Sequence, residues 1–425
     1  MRRAKRVAET MHSTRPGPWT ALIAVILAAI LAGCSAPALE TSETRPHGTQ
    51  EPSDKDDTDW INERFAAARP GDKIDLPAQD YEVRGHIILP RSSDVSIDAT
   101  GARFRGQAVF LSIASTGMSW SGGSFVGDGT SEQRLVFSLF RMNRAKFTNM
   151  SFERTTAFAN HTFDLLGCKE VTLENITIEG YGASQDIVDL SPHERYAEAI
   201  QIDTAHETGV GNERAIELIE EAGGVFDGSA TSGLVVRDSY FGPSRDAAGD
   251  LRAWAPSPLG SHAYASEGPP SDVVFERNRV VSPIPMRETS GGRWAGALHF
   301  AAIQGLTVRY NDFDQADASR RDAWLQFEQR NAPTGGRHSG IQPSTEDIVV
   351  EGNTFDGAPP LKAYVLFDAF RDDAEASFLG VTIANNAFFT DDAEAPVVAV
   401  RGHAGQVEDI DQSANTRMPA PSANG

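Results

Sequence analysis

The most constraining feature of this chain is an eight-residue pattern, apolar-x-apolar-x-(Asn/Asp/Gly)-x-x-(Phe/Ile/Val), that recurs along most of its length. Copies run from Met118 to Phe125, Ala145 to Phe152, Val171 to Ile178, Leu234 to Phe241, Val273 to Val280, Leu306 to Phe313, Ile348 to Phe355 and Val381 to Phe388. Successive starts differ by 27, 26, 63, 39, 33, 42 and 33 residues. The short intervals suit one coil of a solenoid, and the long ones a coil carrying an insertion. Alternation such as Val171-x-Leu173 puts two apolar side chains on one face of a strand. Asparagine near the fifth place (Asn149, Asn175, Asn278, Asn311, Asn353, Asn386) or Gly122 permits a left-handed bend, and stacked asparagines can hydrogen-bond in a ladder. No single coil buries its apolar face alone, so the coils must stack. Further short strands lie between the copies: Val109–Ile113, Val136–Phe140, Phe163–Leu166, Ala199–Asp203, Leu298–Ala301, Leu325–Phe327, Val365–Phe367 and Val397–Val400. Two or three strands per coil predict an all-β, right-handed, single-stranded parallel β-helix with inserted loops. A propeller blade would need four antiparallel strands per period.

The N-terminus is read as an address. Arg2, Arg3, Lys5, Arg6 and Arg15 precede an apolar run from Ala21 to Ala32, too short for a permanent membrane span. It ends in Leu31-Ala32-Gly33-Cys34, which resembles a bacterial lipobox. That resemblance implies a signal peptide over 1–34 and lipid on Cys34; a cleaved signal with an incidental cysteine is the alternative. Residues 35–56, rich in Pro, Ser, Thr and acids, read as a disordered tether. The β-helix domain is expected over 57–405, followed by a partly disordered tail over 406–425. The chain is thus expected to be exported and held by lipid on the outer side of a bacterial membrane. The formal net charge is −21. The leader holds five of the 38 basic and one of the 59 acidic side chains, leaving 33 and 58 in the mature part. Such a balance argues against nucleic acid as partner. With Cys34 assigned to lipid, Cys168 stands alone, so no disulfide is available and a small buried side chain is expected there.

Asp57-x-x-x-Ile61-Asn62, Pro70-Gly71-Asp72-x-Ile74-x-Leu76-Pro77, Tyr81-x-Val83, Trp120-Ser-Gly122-Gly123-x-Phe125 and the long Asn/Phe repeat resemble the pectate-lyase-like (pectin lyase fold) superfamily. The likeness covers roughly Asp57 to Gly402. Within it, His161-Thr-Phe-Asp164-Leu, Glu198-Ala-Ile-Gln201-Ile-Asp203-Thr and Gly260-Ser261-His262 resemble uncharacterised bacterial surface β-helix lipoproteins. The superfamily includes lyases, hydrolases, epimerases, esterases and adhesins, so the resemblance implies a fold without an activity.

Insertions concentrate in the middle coils, at Tyr181–Gly233, Pro243–Ser271 and Pro283–Ala297, where long loops on a rigid scaffold suit function. Within the first, the stretch from Asn212 to Glu221 has helical character and would serve as a wall or lid. Aligning buried residues of adjoining strands predicts an outward row of Asp164, Gln201, His299 and Gln326, with His262 filling the coil between Gln201 and His299. A neighbouring row would hold Asp203, Tyr264 and Glu328, with Trp324 on the other side. Asp203, Asp164, Glu198 and His262 are the candidate catalytic residues. Gln201, His161, His299, Arg287, Arg293, Trp294 and Gln326 are candidate substrate contacts. Arginine suits carboxylate or sulfate groups and tryptophan suits sugar stacking. Asp164 and Asp203 would place carboxyls within reach of the roughly 6.5–9.5 Å separation of inverting glycoside hydrolases. Each acid or histidine taken singly could equally be a solvated or structural side chain. No metal site is called: His161, His262 and His299 lack a compact ligand motif. The Asn-Thr-Asp, Asp-Asp and Gly-His-Gly motifs of polygalacturonase-like hydrolases are not intact, and no clear calcium cluster of a pectate lyase is visible.

These features favour a surface-anchored carbohydrate-active enzyme that cleaves a polysaccharide, foremost a glycoside hydrolase needing no cofactor. A polysaccharide lyase, with calcium a possible cofactor, and a non-catalytic glycan-binding or adhesive lipoprotein are the alternatives. The expected partners are a polysaccharide or cell-surface glycan and, through the lipid, a membrane.

Overall fold

The computed structural model describes residues 56–127, 135–155, 161–181, 198–210, 212–261, 268–283, 296–315, 321–330, 343–370, 378–390, 392 and 394–419. The leader, Cys34 and all but the last residue of the tether lie outside them. The chain winds as a right-handed parallel β-helix with three faces. Each full coil contributes a front strand, a back strand and a side strand in that order, for example Phe163–Leu166, Lys169–Glu174 and Thr177–Glu179. Each strand pairs in parallel with its counterparts one coil before and one coil after, as Phe163 does with Phe137 and Ile200. Among the described residues a single strand pair is antiparallel, the small hairpin of Ser244–Arg245 with Leu251–Ala253. The back and side ladders run on past residue 405, through Thr382 opposite Asp411 and Phe389 opposite Met418.

Every copy of the repeat folds as predicted, a back strand, a bend and a side strand. Its apolar positions line the interior, where aromatic rings stack coil upon coil. Tyr81, Phe104, Phe125 and Phe152 form one such stack, with centroids 5.2, 4.7 and 4.7 Å apart. Parallel offset stacking satisfies ring electrostatics while filling the bore, which is why Phe recurs at this phase. The helix Thr58–Ala66 closes the first coil by burying Ile61 and Phe65. Its Asn62 side chain donates to His86 O (2.9 Å) and accepts from Ile88 N (2.8 Å), so the cap is tied by hydrogen bonds as well as by packing. Cys168 is fully buried, and burial pushes its thiol up to about 12, the property of a packing side chain and not of a nucleophile.

The bends differ from the expectation in one respect. Asn149 and Asn175 do adopt the left-handed conformation, as does Gly122. At the later coils the left-handed residue is the one before the asparagine: Arg277, Tyr310, Gly352 and Asn385. This frees the asparagine side chain to turn inward. Asn278 Nδ2 donates to Asn311 Oδ1 (3.2 Å), Asn311 to Asn353 (2.9 Å), Asn353 to Asn386 (3.0 Å) and Asn386 to Asn415 (3.1 Å). Each amide also donates to a strand carbonyl, as Asn353 does to Val308 O at 2.9 Å. The ladder therefore satisfies polar groups that the tight bend removes from water.

Truncating a middle rung leaves several of those groups buried and unpaired. Asn353→Ala is expected to lower unfolding stability by roughly 1–3 kcal/mol, measured by denaturant titration. The exposed amide pair offers the contrast: Asn175→Ala, which breaks a bond to Asn149 at the surface, is expected to cost much less.

Candidate functional site on the front face

The outer surface of the front ladder changes character along the solenoid axis. In the early coils one outward row is apolar: Ile113, Phe140 and Leu166, with Leu111 beside them, form a second cluster outside the bore. The helix Glu213–Glu221, capped by Asn212 accepting from Ala215 N at 3.1 Å, covers that cluster with Ala215 and Ile219. The helical stretch read from the sequence is thus a packed cover, held also by Arg91 donating to Ala222 O at 2.7 Å. Where the cover ends the outward rows become polar, and the polar residues there are buried.

Two rows define this polar half. Parallel register stacks Asp164 on Gln201, Gln201 on Gly260, Gly260 on His299 and His299 on Gln326. The predicted row is therefore present, with one correction: Gly260, and not His262, occupies the coil between Gln201 and His299. His262 and Tyr264 lie outside the described residues, as do Arg287, Arg293 and Trp294. In the next row Leu166 is followed by Asp203 one coil on. Further along, Glu328 stacks on Asp368 and Asp368 on Arg401.

Gly260 leaves a notch in the first row, and Glu198 fills it. A Cβ on Gly260 would stand 1.9 Å from Glu198 Oε1, so only glycine admits the carboxylate there. Glu198 is 1% exposed, and its carboxylate lies in line between the Gln201 and His299 positions. His161 borders it, with Nδ1 3.2 Å from the Glu198 carbonyl oxygen and 4.0 Å from Oε2. Asp203 is fully buried beside Gly209. One of its oxygens accepts from Gln201 Nε2 at 3.1 Å and the other from Thr204 N at 2.7 Å. It therefore fixes the Gln201 amide. Asp164 sits one coil before Gln201 and is half-buried.

At the other end of the row His299 Nε2 lies 3.0 Å from Glu328 Oε2. Gln326 accepts from Gly296 N and donates to Asp368, both at 2.6 Å. Arg401 closes the cluster: it pairs with Asp368 through two nitrogens and with Asp322 Oδ2 at 2.8 Å. Glu328 entered the sequence reading only as a row neighbour; Asp368, Asp322 and Arg401 were missed. The signal was a shared phase, since Asp368 follows the inward Phe367 as Glu328 follows Phe327. Taken together, the row presents carboxylates, amides and imidazoles in fixed orientations. Such groups suit hydroxyl recognition and proton transfer. Among the described residues no group of three or more His, Cys, Asp or Glu is arranged to hold a metal ion, and no helix is long and apolar enough to cross a membrane.

Trp324 corrects a second expectation. It lies in the bore, with its ring centroid 5.1 Å from that of Phe313. The strand turns the corner at this point, so Trp324 and Leu325 both face inward. The Arg321 guanidinium lies over the Trp324 ring at 3.5 Å.

These features define the class of the molecule: it has the fold of the pectin-lyase-like parallel β-helices. No protein-family model matches the sequence, and no curated protein sequence does. Solved structures match by shape. The surface adhesin PfbA of Streptococcus pneumoniae is 16% identical, with 82% of this chain and 79% of that one covered at a TM-score of 0.59. The catalytic unit of an α-1,3-glucanase from Streptomyces thermodiastaticus is 14% identical, over 79% of this chain and 51% of that one at 0.49. An endo-xylogalacturonan hydrolase from Aspergillus tubingensis is 12% identical, over 88% and 96% at 0.48. At these identities the likeness is one of fold.

Arg321 yields a pH-signed expectation. Its guanidinium nitrogens have no hydrogen-bond partner among the described residues, and burial lowers its pKa to about 9. A base held below its unfolded pKa destabilises the fold below about 9, and the penalty fades as pH rises toward the unfolded value. Arg321→Met is expected to raise the melting temperature at pH 7, with the gain shrinking above pH 9 in a melting series.

Proposed function

We propose that this chain is an exported carbohydrate-active protein that lays a polysaccharide across the polar half of its front face and cleaves it as a glycoside hydrolase. The observation that carries this reading is the Glu198 carboxylate in the Gly260 notch, buried in a row of oriented amide and imidazole groups. Keeping a carboxylate there costs desolvation and one residue's side chain, an arrangement that a merely solvated surface acid does not need.

In this reading Glu198 is one member of the acid/base pair. Asp164, stacked one coil before Gln201, takes the second carboxylate role, and Asp203 acts through Gln201 by fixing its amide. Gln201, His299 and Gln326 bind sugar hydroxyls, with His161 at the rim. His262, Arg287, Arg293 and Trp294 are retained as proposed loop contributions to the same groove. Cys34 is proposed as the lipid attachment that keeps the protein at the cell surface and residues 35–56 as the tether, while the β-helix domain expected over 57–405 extends through the strands that end at Met418. A hydrolase of this kind requires two carboxylates and no cofactor.

A second reading, non-catalytic glycan binding at the cell surface, is favoured by the adhesin among the structural neighbours. The two separate experimentally. Incubation with plant, host and bacterial glycans is expected to release new reducing ends without ultraviolet absorbance; absorbance would mark a lyase instead, and binding without products the adhesive role. With a substrate in hand, Glu198→Gln is expected to lower turnover roughly 10²–10⁴-fold while circular dichroism stays unchanged. Gly260→Ala, which displaces the carboxylate without removing it, is expected to lose most activity as well. Full activity in both variants contradicts the assignment.

A further inference from the structure

A second polar slot opens at the corner where the front strands turn into the back strands, under the segment that follows the covering helix. It has a volume of about 380 Å³, within the roughly 300–1,000 Å³ range of small-ligand sites. Its floor carries Thr116, Asn143 and Lys169, one from each of three consecutive coils. Thr116 bridges Asn143, and Asn143 pairs with Lys169, so the three side chains rise in a file with the coil spacing of about 4.8 Å. Gly223, Gly224 and Val225 form the opposite wall.

The chemistry of this file is unusual for the molecule. Within a chain of net charge −21, the slot is lined by two cations and no carboxylate. Arg141 is already engaged, pairing with Asp227 at 2.8 Å and donating to Val225 O at 3.2 Å, which fastens the wall to the solenoid. Lys169 is not engaged: its ammonium makes no ion pair or hydrogen bond among the described residues, nor do the Thr116 hydroxyl and the Asn143 amide. Gly223 leaves its side of the slot open, since a Cβ there would meet nothing within 4 Å. A hydroxyl, an amide and an ammonium in line, spaced by about one sugar ring, match the hydroxyls and acidic substituent of a short saccharide.

We propose that this slot is a saccharide site separate from the front-face row, and that it takes an anionic sugar whose carboxylate pairs with Lys169. Thr116 and Asn143 bind ring hydroxyls of the same ligand, and Arg141, paired with Asp227, holds the wall. Anchoring an acidic branch or end here would hold a polymer on the solenoid while its neutral part reaches the front face around the same corner.

The test is isothermal titration of the full chain with digalacturonate, cellobiose and inorganic sulfate. Digalacturonate is expected to bind at least tenfold more tightly than either of the others, and added salt should weaken it. Lys169→Met is expected to lower digalacturonate affinity about tenfold, and Asn143→Ala to lower it as well, whereas Gln201→Ala on the front face leaves it unchanged. Cellobiose binding as tightly would overturn the charge argument, and sulfate binding as tightly would reduce the slot to a bare anion hole. No digalacturonate binding, or binding that survives Lys169→Met but not Gln201→Ala, would sink the proposal and leave the front-face reading standing.

Discussion

The parallel backbone ladder between coils is the constraint on which everything else depends. Because each strand pairs in fixed register with the coils before and after it, residues at one phase are stacked about 4.8 Å apart along the axis. The same rule builds the Phe stacks of the bore, the asparagine ladder of the bends and the polar rows of the front face. It also builds an alternating charge row on the back face, Glu174, Arg237, Glu276 and Arg309. Within it Arg237 pairs with Glu174 at 2.9 Å and Arg309 with the buried Glu276 at 2.8 Å. A one-residue slip would set the buried phases outside and break every such row at once.

On the front face the solenoid solves two different burial problems with one ladder. Toward the N-terminal end the residues of the Ile113, Phe140 and Leu166 row are apolar and need a cover, which the helix Glu213–Glu221 supplies. From Asp203 onward they are polar, and their burial is compensated by bonds within the row: Asp203 with Gln201, His299 with Glu328, Gln326 with Asp368, Asp368 with Arg401. Polar groups oriented by such bonds are what fixed hydroxyl recognition requires.

The fold was legible because its signal is periodic. Val171-x-Leu173 and the terminal Ile178 announce a strand, a bend and a second strand, and seven further copies say the same. The Asp164, Gln201, His299, Gln326 row was legible for a related reason: Phe163 and Leu165, and likewise Leu298 and Phe300, set the inward phase unambiguously. The strand Ser257–Ser261 offers only Leu259 as a large apolar marker, between Pro258 and Gly260, so its phase was open and His262 was placed where Gly260 stands. A missing side chain leaves no local signature, and its meaning here lies in Glu198, a whole coil earlier. Trp324 misled because a strand turning a corner sends two successive apolar residues inward. Asp368 and Arg401 carried the right phase, but their role depends on pairing with Gln326 and Asp322 across coils, which spacing alone does not reveal.

The central claim is that a glycan lies on the buried polar row centred on Glu198. Amide hydrogen exchange of the full chain with and without a bound neutral oligosaccharide, which the Lys169 slot disfavours, measures this most directly. The account predicts added protection confined to the front strands around Glu198–Asp203, Ser257–Ser261 and Gly296–Phe300, with the back and side strands unchanged. Protection that instead maps to the side strands, or to the helix-covered early coils, would contradict it.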